Sequence, residues 1–198
     1  MCHLSMETLT NLFNKYGSDK ARNGYVPLYE TLFRAHRRSD TISLLEVGIG
    51  TMIEGVQSSM VGYALPGYKP GGSLRAWRDY FPNACISGCD VQPDTQFTDE
   101  ERITTYLCNS TQSADVTKTF DGKMFDIIVD DGSHAAMDQI STLHNMLPHL
   151  KKDGIYVIED VHEGSYVSTH HHDVQAMFPQ THQFLVGLKN NQLVIIFK

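Results

Sequence analysis

The sequence is short of positive charge. Its 16 lysines and arginines face 23 aspartates and glutamates, a formal net charge of −7 over 198 residues. A general grip on nucleic acid needs a basic face, and the one short basic cluster, His36-Arg37-Arg38, reads as a solvated helix end. No apolar run approaches the ~18 residues of a membrane-spanning helix, so neither nucleic acid nor membrane is expected as a partner. Cysteine is scarce too. Cys2, Cys85, Cys89 and Cys108 contain no C-x-x-C pair, which argues against a zinc site or a disulfide framework and for reduced, buried thiols. The opening residues, with Glu7 among polar neighbours, carry no signal-peptide core, and a cytoplasmic location is the expectation. Internal repeats are lacking, and His170-His171-His172 reads as a solvated loop or helix start.

What the chain does have is a 41% apolar content, enough for a core, and a length close to one ~150-residue domain. We expect a single domain over 1–198, with 1–40 a helical lid or sheet edge and 41–198 the core. Short apolar runs at 42–47, 84–89, 103–107, 125–129 and 155–158 are continuous more than alternating, as in strands covered on both faces. Amphipathic stretches separate them. Ser73 to Phe81 starts on an N-cap-type serine and stops before Pro82; Ala135 to Leu147 carries a helical stripe of Met137, Ile140, Leu143 and Leu147. Two more helices are expected over Met6–Tyr16 and Val26–His36. Strand-then-helix repetition gives an α/β class with a mostly parallel sheet. The segments 182–188 and 192–197, joined by the polar turn Lys189-Asn190-Asn191, read as a terminal hairpin that adds an antiparallel strand. Residues 51–72, rich in proline and glycine, form a long loop of the kind that is functional or mobile.

The first strand ends in Leu45-Glu46-Val47-Gly48-Ile49-Gly50. Glycines at the carboxyl edge of an open α/β sheet let backbone approach a ligand closely. A dinucleotide fingerprint would need glycine where Ile53 stands, and a helix where a loop follows, which disfavours a dehydrogenase. The second strand ends in Asp90, a carboxylate placed to accept two ribose hydroxyls. Glu46, the two glycines and Asp90 together form the pattern of an S-adenosyl-L-methionine (SAM) site.

Two later strands each end in a pair of acids: Asp130-Asp131, followed by Gly132-Ser133-His134, and Glu159-Asp160, followed by Val161-His162. Parallel neighbours lie ~4.8 Å apart, so the tips would gather up to four carboxylates. Like charges that close raise one another's pKa unless a cation sits among them. Neither motif contains lysine, so a hard divalent ion is the economical neutraliser; all-oxygen ligands suit Mg²⁺, with Mn²⁺ or Ca²⁺ as alternatives. Asp131, Glu159 and Asp160 are assigned to metal and Asp130 to the cofactor side. His134, with an ordinary pKa of ~6.5, suits a general base, and His162 is its rival.

These residues resemble magnesium- and SAM-dependent sugar O-methyltransferases of the macrocin and mycinamicin type. The resemblance runs through Lys15-Tyr-Gly-Ser-Asp-Lys20, the glycine turn, Gly72-Ser-Leu-Arg-Ala-Trp77, Asp90, the D-D-G-S-H run at 130–134 and the V-I-E-D run at 157–160. It implies a Rossmann-like class I methyltransferase fold with a seven-stranded sheet. It further implies metal at Asp131, Glu159 and Asp160, a base at His134, and SAM contacts at Gly48, Gly50, Ser73 and Asp90 and at the segment after the third strand, here Asn109-Ser110. A sugar is the implied acceptor, and a homo-oligomer is compatible with it. The rival readings are a metal-dependent catechol or phenol methyltransferase, gated by aromatics such as Tyr63, Tyr68, Trp77 or Tyr166, and a non-catalytic SAM-binding scaffold.

Overall fold

The computed structural model describes residues 7–36, 41–65, 67–188 and 191–198. Cys2, Arg37, Arg38 and most of the Lys189–Asn191 turn therefore lie outside the described residues. Seven strands, β1 (Ser43–Val47), β2 (Cys85–Asp90), β3 (Ile103–Leu107), β4 (Phe125–Asp130), β5 (Leu150–Ile158), β6 (His182–Gly187) and β7 (Gln192–Phe197), form one sheet in the order β3-β2-β1-β4-β5-β7-β6. The first five run parallel; β7 pairs antiparallel with both β5 and β6. This is the doubly wound sheet with a C-terminal antiparallel hairpin that the apolar runs imply.

Both faces are covered. Alternate strand residues Leu44, Ile86, Ile127, Val129 and Val157 face a layer made by α1 (Leu9–Lys15), α2 (Val26–Leu32) and α3 (Gly72–Tyr80). Residues of the other parity, among them Leu45, Val47, Ile128, Tyr156 and Ile158, face α4 (Ser113–Phe120), α5 (Ala136–Met146), α6 (Tyr166–Thr169) and α7 (His171–Met177). That double burial is why the strands read as unbroken apolar runs.

The N-terminal helices are shorter than expected and belong to the core. Thr8 caps α1 by accepting from the Asn11 N–H, and Leu9, Leu12, Phe13, Tyr25, Tyr29 and Phe33 are buried. Helix α3 starts one residue before Ser73, with Gly71 as its left-handed N-cap, so Ser73 is not the cap. No helix joins β2 to β3; the described connection holds only a short 3-10 turn, Pro93–Thr95. The described cysteines are free, and Cys85 is exposed at a strand start where a buried thiol was expected. Of the three histidines, His171 and His172 open α7 and His170 caps α6.

Candidate active site

The strand order reverses between β1 and β4, where open α/β sheets hold their ligands. At this point a cavity of about 1550 Å³ opens over the carboxyl ends of the strands. Gly48 makes the crossing. Its φ is +78°, and a Cβ there would lie 2.0 Å from the Asp131 carbonyl oxygen, so no other residue fits without moving the backbone. The Gly48 N–H donates to the Cys89 carbonyl and the Asp131 N–H to the Val47 carbonyl, both at 2.8 Å. The turn after β1 is thus stitched to the tips of β2 and β4.

One half of the cavity is lined by Gly48, Gly50, Asp90, Asn109, Ser110 and Asp130. Asp90 is held by the N–H groups of Ile49 and Gln92 at 3.0 and 2.9 Å. Burial pushes its carboxyl up, against those two bonds. Asn109 is ordered by its own turn, its side-chain oxygen accepting from Thr111, and Ser110 shares a hydrogen bond with Thr142. Asp130 is buried and has its carboxyl pushed up to about 7, chiefly by burial and against the Gly132 N–H.

The other half holds Asp131, His134, Asp160 and His162. His134 and Asp160 both have positive φ, 61° and 50°, a conformation few side chains adopt and one that clusters at functional sites. Here it turns both toward Asp131. His134 Nε2 lies 3.2 Å from Asp131 Oδ1 and 3.5 Å from Asp160 Oδ2. Burial acts to lower the imidazole pKa, but the hydrogen bond and charge of Asp131, backed by Asp160 and Asp130, outweigh it and raise it. Asp160 Oδ1 accepts from the Tyr25 hydroxyl at 2.6 Å and from the Asn191 amide.

Behind Asp131 the structure corrects an expectation. The acid motifs lack lysine, yet an ammonium occupies the gap between them. Lys20, 1% exposed, places Nζ 2.6 Å from Asp131 Oδ2 and 2.6 Å from Glu159 Oε2, with Glu46 Oε1 at 3.2 Å as an ion pair without hydrogen-bond geometry. The other oxygens of the two glutamates are also occupied: Trp77 Nε1 donates to Glu46 Oε2 at 2.8 Å, and the Tyr29 hydroxyl donates to Glu159 Oε1. Burial pushes both glutamates up despite the shared ammonium. On Asp131 burial pulls the same way, but Lys20 and His134 overcome it and hold that carboxyl at about 2.

The expected site residues therefore separate. Gly48, Gly50, Asp90, Asn109, Ser110, Asp130, Asp131, His134 and Asp160 line one cavity. Glu46, Ser73 and Glu159 do not: Ser73 is buried in the first turn of α3, and Glu159 is committed to Lys20 and Tyr29. Among the described residues, the group whose ligand atoms lie within 4.8 Å of one another is Asp131, His134 and Asp160. Two carboxylates on a half-buried wall suit a hard divalent ion such as Mg²⁺ or Mn²⁺, so Asp131 and Asp160 fit the metal, with His134 beside them. The residues that sequence reasoning missed are Lys20, Tyr25 and Tyr29. The signal was a glutamate, Glu46, inside an apolar strand, which cannot be buried without a partner.

The loop after β1 lies over this wall. The Gln57 amide donates to the Ser133 carbonyl, and Ser58 Oγ donates to the Gly132 carbonyl at 2.9 Å. The four aromatics considered as a gate do not converge. Tyr63 lines the cavity, but Tyr68 donates to the Gly50 carbonyl, Trp77 is core and Tyr166 stacks on His170 at 4.3 Å.

Comparison with known proteins places the chain in a family. Demethylmacrocin O-methyltransferase of Streptomyces fradiae is 32% identical over 163 residues, 81% of this chain and 38% of that protein. The 8-demethyl-8-(2-methoxy-alpha-L-rhamnosyl)-tetracenomycin-C 3'-O-methyltransferase of Streptomyces olivaceus is 35% identical over 156 residues, 77% of this chain and 36% of that protein. The chain thus spans less than two fifths of these relatives. Among solved structures, the MycE methyltransferase from the mycinamycin biosynthetic pathway, in complex with Mg, SAH and mycinamycin VI, superposes with a TM-score of 0.74 at 22% identity, covering 97% of this chain and 54% of that one. That likeness shows the fold. A family model described as a methyltransferase domain matches residues 52–161, more than half of the 198 residues. By that match, which takes in Asp90 and both acid motifs, the chain belongs to the methyltransferase-domain family.

Proposed function

We propose that the chain transfers a methyl group from SAM to a sugar hydroxyl, with a divalent ion at the Asp131–Asp160 wall and His134 as general base. One observation carries the reading: a single cavity joins the Gly48–Gly50–Asp90 half, suited to SAM, to a half where two carboxylates flank an imidazole. The relatives carry names that end in O-methyltransferase, and several of those names print a rhamnosyl or olivosyl group in the acceptor, which supports the sugar over a catechol. The failure of the aromatics to form a gate points the same way.

When bound, the divalent ion would acidify an acceptor hydroxyl as it acidifies water, and SAM would supply the electrophilic methyl. Asp131 and Asp160 would hold the ion and so orient the acceptor. His134 takes the hydroxyl proton, and the two carboxylates that flank its Nε2 stabilise the imidazolium that results. Asp90, fixed by two backbone N–H groups, keeps acceptor capacity free for a ribose diol. The loop pinned to Gly132 and Ser133 limits water at the reacting atoms, and holding nucleophile and methyl carbon ~3–3.5 Å apart supplies much of the acceleration.

The test is a product-mass screen of glycosides with SAM and Mg²⁺. A +14 Da product is expected, abolished by EDTA, restored by Mg²⁺ and lost in His134→Ala with SAM binding retained. Full turnover in EDTA would remove the metal, and loss of SAM binding in His134→Ala would misplace the histidine.

A further inference from the structure

One carboxylate of the cavity wall is held by residues from distant parts of the chain. Asp160 lies just past the end of β5. Tyr25 is the N-cap residue of α2, and Asn191 stands immediately before β7, in the turn of the terminal hairpin. We propose that Tyr25 and Asn191 are positioning residues of this site, which turn the Asp160 carboxylate so that Oδ2 faces the cavity and a divalent ion bound there. The inference rests on the divalent-ion reading of the cavity given above.

Asp160 is not aimed by its own strand. Its φ of 50° takes the chain out of the extended path, a conformation that persists only where the surroundings over-determine it. The torsion that sets the plane of an aspartate carboxylate is also soft, so nothing within the residue chooses which oxygen points where. Its neighbours do. The Val161 N–H donates to the Gln192 carbonyl at 3.0 Å, which docks the segment after β5 on β7. The Tyr25 hydroxyl donates to Asp160 Oδ1 at 2.6 Å, and the Asn191 amide donates to the same oxygen.

Donors and acceptors in this group close on one another. Asn191 Oδ1 is taken by the Gln192 N–H at 2.8 Å. Its Nδ2, with two hydrogens, therefore turns the other way, giving one to Asp160 Oδ1 and one to the Tyr25 hydroxyl oxygen at 2.5 Å. Tyr25 accepts that bond and gives its own hydrogen to Asp160. Its ring cannot swing away: it is fully buried, lies edge to face with Tyr29 at 6.3 Å, and its backbone N–H donates to the Lys20 carbonyl at 3.2 Å. With both bonds on Oδ1, the oxygen left toward the cavity is Oδ2, 3.5 Å from His134 Nε2. A ligating carboxylate fixed by hydrogen bonds is presented to the metal already oriented, and loss of such partners weakens metal binding about 10–100-fold.

The test uses Mn²⁺ as the probe, titrated against the full chain and read by the electron paramagnetic resonance of free Mn²⁺. Wild-type protein is expected to bind one equivalent. Tyr25→Phe keeps the ring and removes the hydroxyl; checked for folding by near-ultraviolet circular dichroism, it is expected to bind Mn²⁺ about tenfold or more weakly. Its affinity for S-adenosyl-L-homocysteine, measured by calorimetry without metal, should stay within about twofold of wild type, since the donor half is untouched. A purely structural hydroxyl would lower the urea midpoint and leave Mn²⁺ affinity alone. Unchanged or tighter Mn²⁺ binding by the folded variant overturns the proposal. If Tyr25→Phe does not fold, Asn191→Ala, at a half-buried turn position, decides by the same criterion. Wild-type protein that binds no Mn²⁺ sinks the divalent-ion reading and this inference with it, whereas a wild type that binds and variants that bind equally well sink the positioning role alone.

Discussion

The two faces of the sheet are buried alike but built from different material. The face under α1, α2 and α3 is aromatic: Phe13, Tyr25, Tyr29, Phe33, Trp77, Tyr80 and Phe81 pack there, with Tyr29 and Trp77 edge to face at 5.2 Å. The face under α4 to α7 is mostly aliphatic and thiol, with Cys89, Cys108, Leu143, Met146 and Val194. On the aromatic face the rings carry polar atoms to the strand-tip acids: Trp77 to Glu46, Tyr29 to Glu159 and Tyr25 to Asp160. The aliphatic face offers Tyr156 to Asp130 across 3.4 Å. An aromatic with a polar handle does two jobs when its far end meets a buried acid, so the first face is both core and scaffold of the site.

If that contrast is right, damage on the aromatic face should cost more than matched damage on the other. Trp77→Ala is expected to lose about 3–5 kcal/mol from the cavity alone, with the orphaned Glu46 added, seen as a large fall in the urea midpoint. Tyr29→Phe removes one donor from a buried carboxylate and should cost about 1.5–3 kcal/mol, measured in the same way. On the opposite face the effect is one of pH. Asp130 has a folded pKa of about 7, above its ordinary 3.8, so the folded state binds the proton more tightly than the unfolded chain. Its contribution is present in full at acid pH and is lost as pH rises toward 7. The stability of the wild type relative to Asp130→Asn should therefore fall by about 1 kcal/mol per pH unit across that window; a flat difference would show that Asp130 is ionised throughout. Tyr156→Phe should be the mildest, under about 1 kcal/mol, because a long hydrogen bond contributes little. A Tyr156→Phe loss equal to that of Tyr29→Phe would erase the contrast.

Much of the fold was legible because burial on both faces writes itself into the strands as unbroken apolar runs. Strands β1 to β4 fall within a residue or two of those runs. The start of β5 was missed because Lys151-Lys152-Asp153 is polar and partly exposed, and the pairing with β4 slips its register there. Helix α4 was not singled out, since only Val116 and Phe120 face the core. At the site, the paired acids were visible as neighbours in sequence. Lys20 was visible only as the end of the Lys15–Lys20 run, with no role attached, because it meets Asp131 and Glu159 across 111 and 139 residues. Local pattern reports what is adjacent along the chain; a counter-ion delivered by tertiary packing leaves only the indirect trace of an otherwise unexplained Glu46.

The absence of a side chain at Gly48 has an architectural consequence. Because the two loops pass with no room for even a methyl group between them, the turn after β1 and the Asp131–Gly132 backbone after β4 share one closely packed joint. Anyone recombining this domain with a relative would have to transplant both loops as a single cassette.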